Sequence, residues 1–179
     1  ITDGYGIRSK HPVTGADNKA HKGIDLVVDG ADNISYEDFT KILAGRKITG
    51  VSRKARGQIR SFKKKFEAFV KRAEKPTSTD DEKSALLTMQ TFGFAPVFAT
   101  ESGVVTYAGN DVGGYGFWME ISSSDTTGGG ETFYHRYAHM SFLGFDIGKK
   151  VNKGDIIGFM GTTGGSTGHH LHFEIRVAV

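Results

Sequence analysis

One heptapeptide of the chain reads Gly168-His169-His170-Leu171-His172-Phe173-Glu174, which places three of the seven histidines within four positions. Histidine binds metals and moves protons near neutral pH, so chemistry is sought here first. In a strand, residues i and i+2 share a face. That spacing projects His170 and His172 together and turns Leu171 and Phe173 toward a core. Glu174 continues the histidine face and can accept a hydrogen bond from an imidazole N–H. Two imidazoles and a carboxylate on one side of a strand make half of a metal site. Far earlier, His21-Lys22-Gly23-Ile24-Asp25 offers an imidazole and a carboxylate four residues apart, with Gly23 permitting an unusual backbone path. Two histidines and one carboxylate leave the fourth position of a tetrahedral zinc ion open, the arrangement of a catalytic site rather than a structural one. His139 is a further candidate to line such a site. His11, His135 and His169, taken singly, read as surface or satisfied core residues.

Other chemistries are excluded by what the sequence lacks. With no cysteine there is neither a disulfide nor a thiolate, so any metal is held by histidine and carboxylate. Ser166 stands in Gly164-Gly165-Ser166-Thr167-Gly168, but a strand-like run follows it and not the helix of a nucleophile elbow, and no HExxH helix occurs, so neither a serine nucleophile nor a glutamate base is expected.

The elements that would position these residues fall into three textures. Residues 1–28 are Gly-rich, with a turn-like HPVTGADN and the strand-like GIDLVV. From about residue 95, short β-like runs (PVFAT, GVVTYAG, FWMEIS, TFYHRYAHM, DIIGFMG and HLHFEIRV) are punctuated by Gly, as in short antiparallel strands with tight turns. The stretch 29–94 has a helical period instead. Ser35 with Asp38, and Thr79 with Glu82, resemble capping boxes. Ile59, Phe62, Phe66, Phe69, Val70 and Ala73 form one apolar stripe on a helix. The expectation is a β domain interrupted by roughly three helices, with residues 1–28 and 95–179 as the core and 29–94 as a helical, basic insertion. The loop SSSDTTGGGETF reads as long and mobile.

The 179 residues suffice for one domain with a proper core. No apolar run approaches the roughly 20 residues needed to span a bilayer. The first residues, ITDGYGIRSK, show neither a secretory signal pattern nor an initiator Met, so the chain reads as a piece of a longer protein. The net charge of +3 hides an asymmetry. Residues 53–75 carry ten Lys/Arg against Glu67 and Glu74, a net of +8, so the remainder carries −5.

Four blocks carry a resemblance: GYGIRSKHPVTGADNKAHKGIDL, APVFATESGVVTYAGNDVGGYG, RYAHMS and KGDIIGFMGTTGGSTGHHLHFEI. In this order they resemble the lysostaphin-type (LytM-like) zinc metalloendopeptidases, a family of peptidoglycan hydrolases, and they cover nearly all residues outside 29–94. The resemblance implies a mainly antiparallel β fold with a duplicated hybrid-motif-like core. It implies one Zn²⁺ per chain held by His21, Asp25 and His172, with His139 and His170 as the catalytic pair. It further implies hydrolysis of stem or cross-bridge peptide bonds by a zinc-activated water. The chain departs from the family's pattern in two places. Ser122-Ser123-Ser124 stand where a further histidine often follows, and the insertion separates Asp25 from Pro96 by 71 residues.

The expected partners are peptidoglycan peptides, with no nucleic acid, no membrane span and a monomeric state. The expected location is extracellular, at the cell wall, or on a phage particle. The insertion reads first as a solvated helical decoration and, alternatively, as a basic arm for anionic wall polymers. A catalytically inactive wall- or partner-binding member is the alternative to an enzyme; the intact ligand positions speak against it. A biotinyl/lipoyl carrier is set aside, because Met160-Gly161-Thr162-Thr163 has no Lys to modify.

Overall fold

The run Ile156-Ile157-Gly158-Phe159-Met160 is apolar without alternation, and as strand β9 (Ile156–Met160) it is buried throughout. A strand apolar on both faces needs cover on both. Ile157 and Met160 join a core with Val105, Met119, Ile121 and Tyr137. Ile156 and Phe159 join a second core built largely from helices. The computed structural model describes residues 6–10, 17–21, 23–26, 33–124 and 129–178, the first two ranges as backbone alone.

Among the described residues, the main sheet has eight strands. Its order is β3 (Ile24–Leu26), β10 (Leu171–Val177), β7 (Thr132–Leu143), β6 (Gly116–Ser124), β5 (Gly103–Asp111) and β8 (Lys150–Val151). β9 pairs with β7 and with β4 (Pro96–Phe98), and all these pairings are antiparallel. β1 (Gly6–Lys10) and β2 (Asp17–His21) form a separate two-stranded ribbon. The mainly antiparallel architecture is the expected one. Residues 27–28 of the predicted first strand and the HP turn with His11 lie outside the described residues. The serine-rich loop is shorter than the sequence suggests. Ser122, Ser123 and Ser124 belong to β6 and pair with Tyr134, Phe133 and Thr132. Ser123 also meets His135 Nε2 at 2.9 Å in the interior, so a turn-favouring residue type is recruited into a strand.

The caps read from the sequence are present. The Ser35 hydroxyl accepts the Asp38 N–H at the start of α1 (Tyr36–Leu43). Thr79 and Glu82 cap α4 (Asp80–Phe92) reciprocally. The stripe expected on one helix is instead carried by two, α2 (Arg53–Ser61) and α3 (Lys63–Ala73), so four helices are described rather than three. At the break the Phe62 N–H turns back to the Ile59 carbonyl, and the Ser61 hydroxyl bonds the Gln58 carbonyl. A serine competing for backbone acceptors loosens a helix without Gly or Pro to announce it. The stripe continues across the break, with Ile59, Phe62, Phe66, Phe69 and Ala73 buried and Val70 half-buried.

The helices are not a solvated decoration. Phe39 stacks on Phe94 with centroids 3.7 Å apart, and both meet Phe159 of β9 edge-on at 5.3 and 5.1 Å. Phe66 meets Phe142 of β7 at 5.7 Å. The Gln58 side-chain amide ties the same helices to the edge of β9, donating to Asp155 Oδ1 and accepting the Ile156 N–H. Helices and sheet therefore share one aromatic core. The outer face of α2 and α3 leaves Arg53, Lys54, Arg60, Lys63, Lys64 and Lys71 exposed. No helix among the described residues is long and apolar enough to cross a membrane.

Candidate functional site

The antiparallel register of β3 and β10 sets His172 directly opposite Asp25, on one face of the sheet. Both side chains are buried, with His172 Nδ1 2.9 Å from Asp25 Oδ1. Gly23 makes this approach possible. A Cβ there would stand 2.3 Å from the Phe173 carbonyl oxygen and 2.8 Å from His172 Nε2, so any other residue would collide with β10.

The other ring nitrogen of His172, Nε2, lies 2.9 Å from Glu174 Oε1. Glu174 is buried and also accepts from the Tyr115 hydroxyl (2.6 Å) and from Arg176 Nε (2.9 Å). Burial works against its charge, but donation from His172, Tyr115 and Arg176 prevails and holds the carboxyl at about 2. His172 thus has an acceptor carboxylate at each ring nitrogen, whereas a neutral imidazole carries one proton. Burial opposes a charge on the ring and the two carboxylates outweigh it, raising its pKa. In the neutral ring, with Nε2–H donating to Glu174, the Nδ1 lone pair would face Asp25 Oδ1. A cation between them resolves that contact, so this nitrogen and oxygen pair fits a divalent ion such as Zn²⁺. Among the described residues no group of three His, Cys, Asp or Glu side chains could hold a metal ion. His21 is the last residue of β2, and its side chain lies outside the described residues.

His139 reaches the same face through an irregularity. Phe117 pairs with Met140 and Met119 with Tyr137, so Trp118 of β6 faces two residues of β7, Ala138 and His139. Such a bulge re-aims side chains. Tyr137 and Met140, three apart, both enter the core. His139 turns to the other face, its ring 4.8 Å from that of His170 and 5.9 Å from that of His172. His139 has φ 60°, a left-handed conformation that is strained for a residue with a Cβ and is typical of functional sites. Its Nδ1 lies 2.8 Å from the Thr163 carbonyl, which can only accept, so Nδ1 carries the proton and Nε2 the lone pair. Burial pushes this imidazole down to about 4, with the His170 and His172 rings adding to the effect and the Thr163 carbonyl opposing it.

His170 repeats the pattern. Its Nδ1 donates to the Gly168 carbonyl at 2.8 Å, and its Nε2 lies 3.7 Å from Asp25 Oδ1. Asp25, His172 and His139, all buried, therefore meet the half-buried His170 in one patch, with two imidazoles presenting Nε2 lone pairs beside a cation-ready pair. This arrangement can bind a metal ion and transfer protons next to it. His169 points elsewhere, to the Met160 carbonyl and the Phe92 ring, and His135 is held by Thr100 and Ser123. Tyr115, Arg176 and Thr163 escaped the sequence reading. Tyr115 and Glu174 are 59 residues apart, and no spacing rule links a turn tyrosine to a strand glutamate.

The sequence profile of peptidase family M23 matches residues 87–178, a span that holds His139, His170 and His172 but not His21 or Asp25. The DD-carboxypeptidase/endopeptidase Mpg of Neisseria meningitidis is 44% identical over 82 residues, which are 46% of this chain and 17% of Mpg. Lipoprotein NlpD of Yersinia enterocolitica is 40% identical over 81 residues, 45% of this chain and 76% of NlpD. A zinc-containing peptidase from Vibrio cholerae aligns over 99% of this chain and 33% of its own, with a TM-score of 0.53 at 21% identity, and shares the fold. The chain thus spans a small fraction of the Neisseria relative's length.

Proposed function

Because the chain belongs to peptidase family M23, we propose that it is a zinc-dependent endopeptidase that hydrolyses peptide bonds in the stems or cross-bridges of bacterial peptidoglycan. His21, Asp25 and His172 would hold the ion. When bound, it supplies a Lewis acid that polarises the scissile carbonyl and lowers the pKa of water toward about 7. Burial keeps His139 neutral with its proton fixed on Nδ1, so Nε2 is ready to take the proton of the attacking water. The same burial makes the resulting imidazolium a willing donor to the leaving amine. His170, fixed the same way by Gly168 with its ring 4.8 Å from that of His139, would serve as the second group that accepts a proton or steadies the oxyanion.

The observation that carries this reading is the convergence of the cross-strand pair Asp25/His172 with two histidines whose Nδ1 atoms are both held by backbone carbonyls. The experiment is mass spectrometry of fragments released from several purified peptidoglycans, with and without a chelator. New amino termini that vanish with the chelator are expected, and their sequence identifies the bond. Wall binding without fragments would instead support a non-hydrolytic member. The reading places the protein at the cell wall or on a phage particle.

Glu174 gives a sharper check. Its carboxylate accepts from His172 Nε2, so Glu174→Gln removes the charge that keeps Nδ1 available. Zinc affinity should fall about 10–100-fold in a chelator competition, with the circular dichroism spectrum unchanged. The exposed basic face of α2 and α3 extends the proposal to anionic wall polymers. Binding to purified walls should weaken as salt rises through about 0.15 M, where the Debye length is about 8 Å, and charge-reversed Lys63 and Lys64 should weaken it further.

A further inference from the structure

The Thr163–Gly164 peptide group is held at both ends. Its carbonyl oxygen accepts the Nδ1–H of His139 at 2.8 Å. Its N–H donates to Asp81 Oδ1, also at 2.8 Å. Asp81 lies in the first turn of α4, within the helical segment, 83 residues from Gly164. Its other oxygen, Oδ2, is buried and makes no hydrogen bond among the described residues. The carboxylate is therefore directed at this one N–H.

From this geometry we propose that Asp81 is a positioning residue for His139, acting through the Thr163–Gly164 peptide, and that the helical segment thereby takes part in catalysis. The inference rests on the proposed role of His139. A peptide group is planar, so fixing the direction of its N–H fixes the direction of its C=O. A carboxylate on the N–H is a charge-assisted bond, shorter and stronger than a neutral one. Bonds in such a chain polarise one another, so the Thr163 oxygen becomes a better acceptor and the Nε2 lone pair of His139 more basic. The arrangement parallels the carboxylate that orients a catalytic histidine in hydrolase triads, with one peptide plane interposed.

The surroundings suit this task. Gly164 has φ +71°, and a Cβ there would stand 2.3 Å from the Gly116 nitrogen, so the loop is seated tightly on the β5–β6 turn. Thr163 Oγ1 donates to the Met140 carbonyl and accepts the Phe117 N–H, fixing the residue beneath the peptide. Gly165 N–H donates to the Gly114 carbonyl. One side of the loop is thus gripped by the sheet, and Asp81 bonds it from α4. At the far end of the same helix, the Phe92 ring lies 5.9 Å from the His169 ring, next to His170.

The test compares the wild type, Asp81→Ala and Asp81→Asn as zinc-loaded protein. Asparagine keeps an oxygen at Oδ1 with the same shape but no charge. Asp81→Ala is expected to lower kcat about 10–100-fold, the scale of loss for a catalytic group misplaced by up to about 1 Å. KM, zinc content and melting temperature should stay near wild type, and Asp81→Asn should recover part of the loss. The second readout is the proton resonance of His139 Nδ1–H, which should shift or exchange faster with water in Asp81→Ala. This signal exists whether or not the protein cuts peptidoglycan, so it separates the two proposals. If wild type is inactive yet the resonance responds to Asp81, the enzymatic reading fails and the coupling stands. An unchanged resonance and unchanged kcat in both variants would overturn the inference.

Discussion

Zinc content should fall from close to one ion per chain to near none when His172 is replaced by alanine, as read by elemental analysis of the purified protein. The substitution removes the ring nitrogen Nδ1 that stands 2.9 Å from Asp25 Oδ1. It also removes the donor that Glu174 receives from Nε2. Glu174 keeps Tyr115 and Arg176 as donors, so the buried carboxylate stays satisfied and the fold should survive. Hydrolysis should fall in step with the metal. The ion's stabilisation of charge in the transition state is worth several kcal/mol, on the order of 10³-fold in rate. A variant that kept a full complement of zinc would remove His172 from the ligand set.

Alanine at His139 or at His170 should behave in the opposite way, retaining zinc and losing turnover. Both Nδ1 atoms are engaged by backbone carbonyls, and His170 Nε2 stands 3.7 Å from Asp25 Oδ1 against 2.9 Å for His172 Nδ1. Each histidine contributes as a positioned acid or base, for which a loss of about 10²–10⁴-fold is typical. Measured on a defined cross-bridge peptide, the loss should appear mainly in kcat. Full activity in both variants would falsify the assignment. His139→Ala should not relieve the backbone, because φ 60° remains unfavourable for any residue with a Cβ, alanine included. Glycine at the same position is therefore the better folding control.

Alternation along β10 made the shared face of His170, His172 and Glu174 legible in the sequence, and the structure shows His172 and Glu174 in contact. The caps at Ser35 and Thr79 were legible for a similar reason, since a cap is a rule about residues three apart. His139 is a candidate from the residues themselves and takes its catalytic role from the family resemblance, and its geometry does not follow from spacing. Its face depends on a bulge, and a bulge inverts the two-residue alternation on which strand reading depends. Tyr115, Arg176 and Asp81 were not legible at all, because each acts on a partner fixed only by tertiary packing. The unalternating run in β9 already indicated cover on both sides, and hence that the helices pack on the sheet.

That shared packing bears on how the chain can be re-engineered. Phe142, Ile156 and Phe159 lie in adjacent strands beneath the helical segment, each almost wholly shielded from water. A shortened version joining Asp25 directly to Pro96 would lay these three side chains bare side by side, and such an apolar patch invites self-association. Trimming the protein to a minimal enzyme therefore requires repainting those three positions with polar residues in the same step.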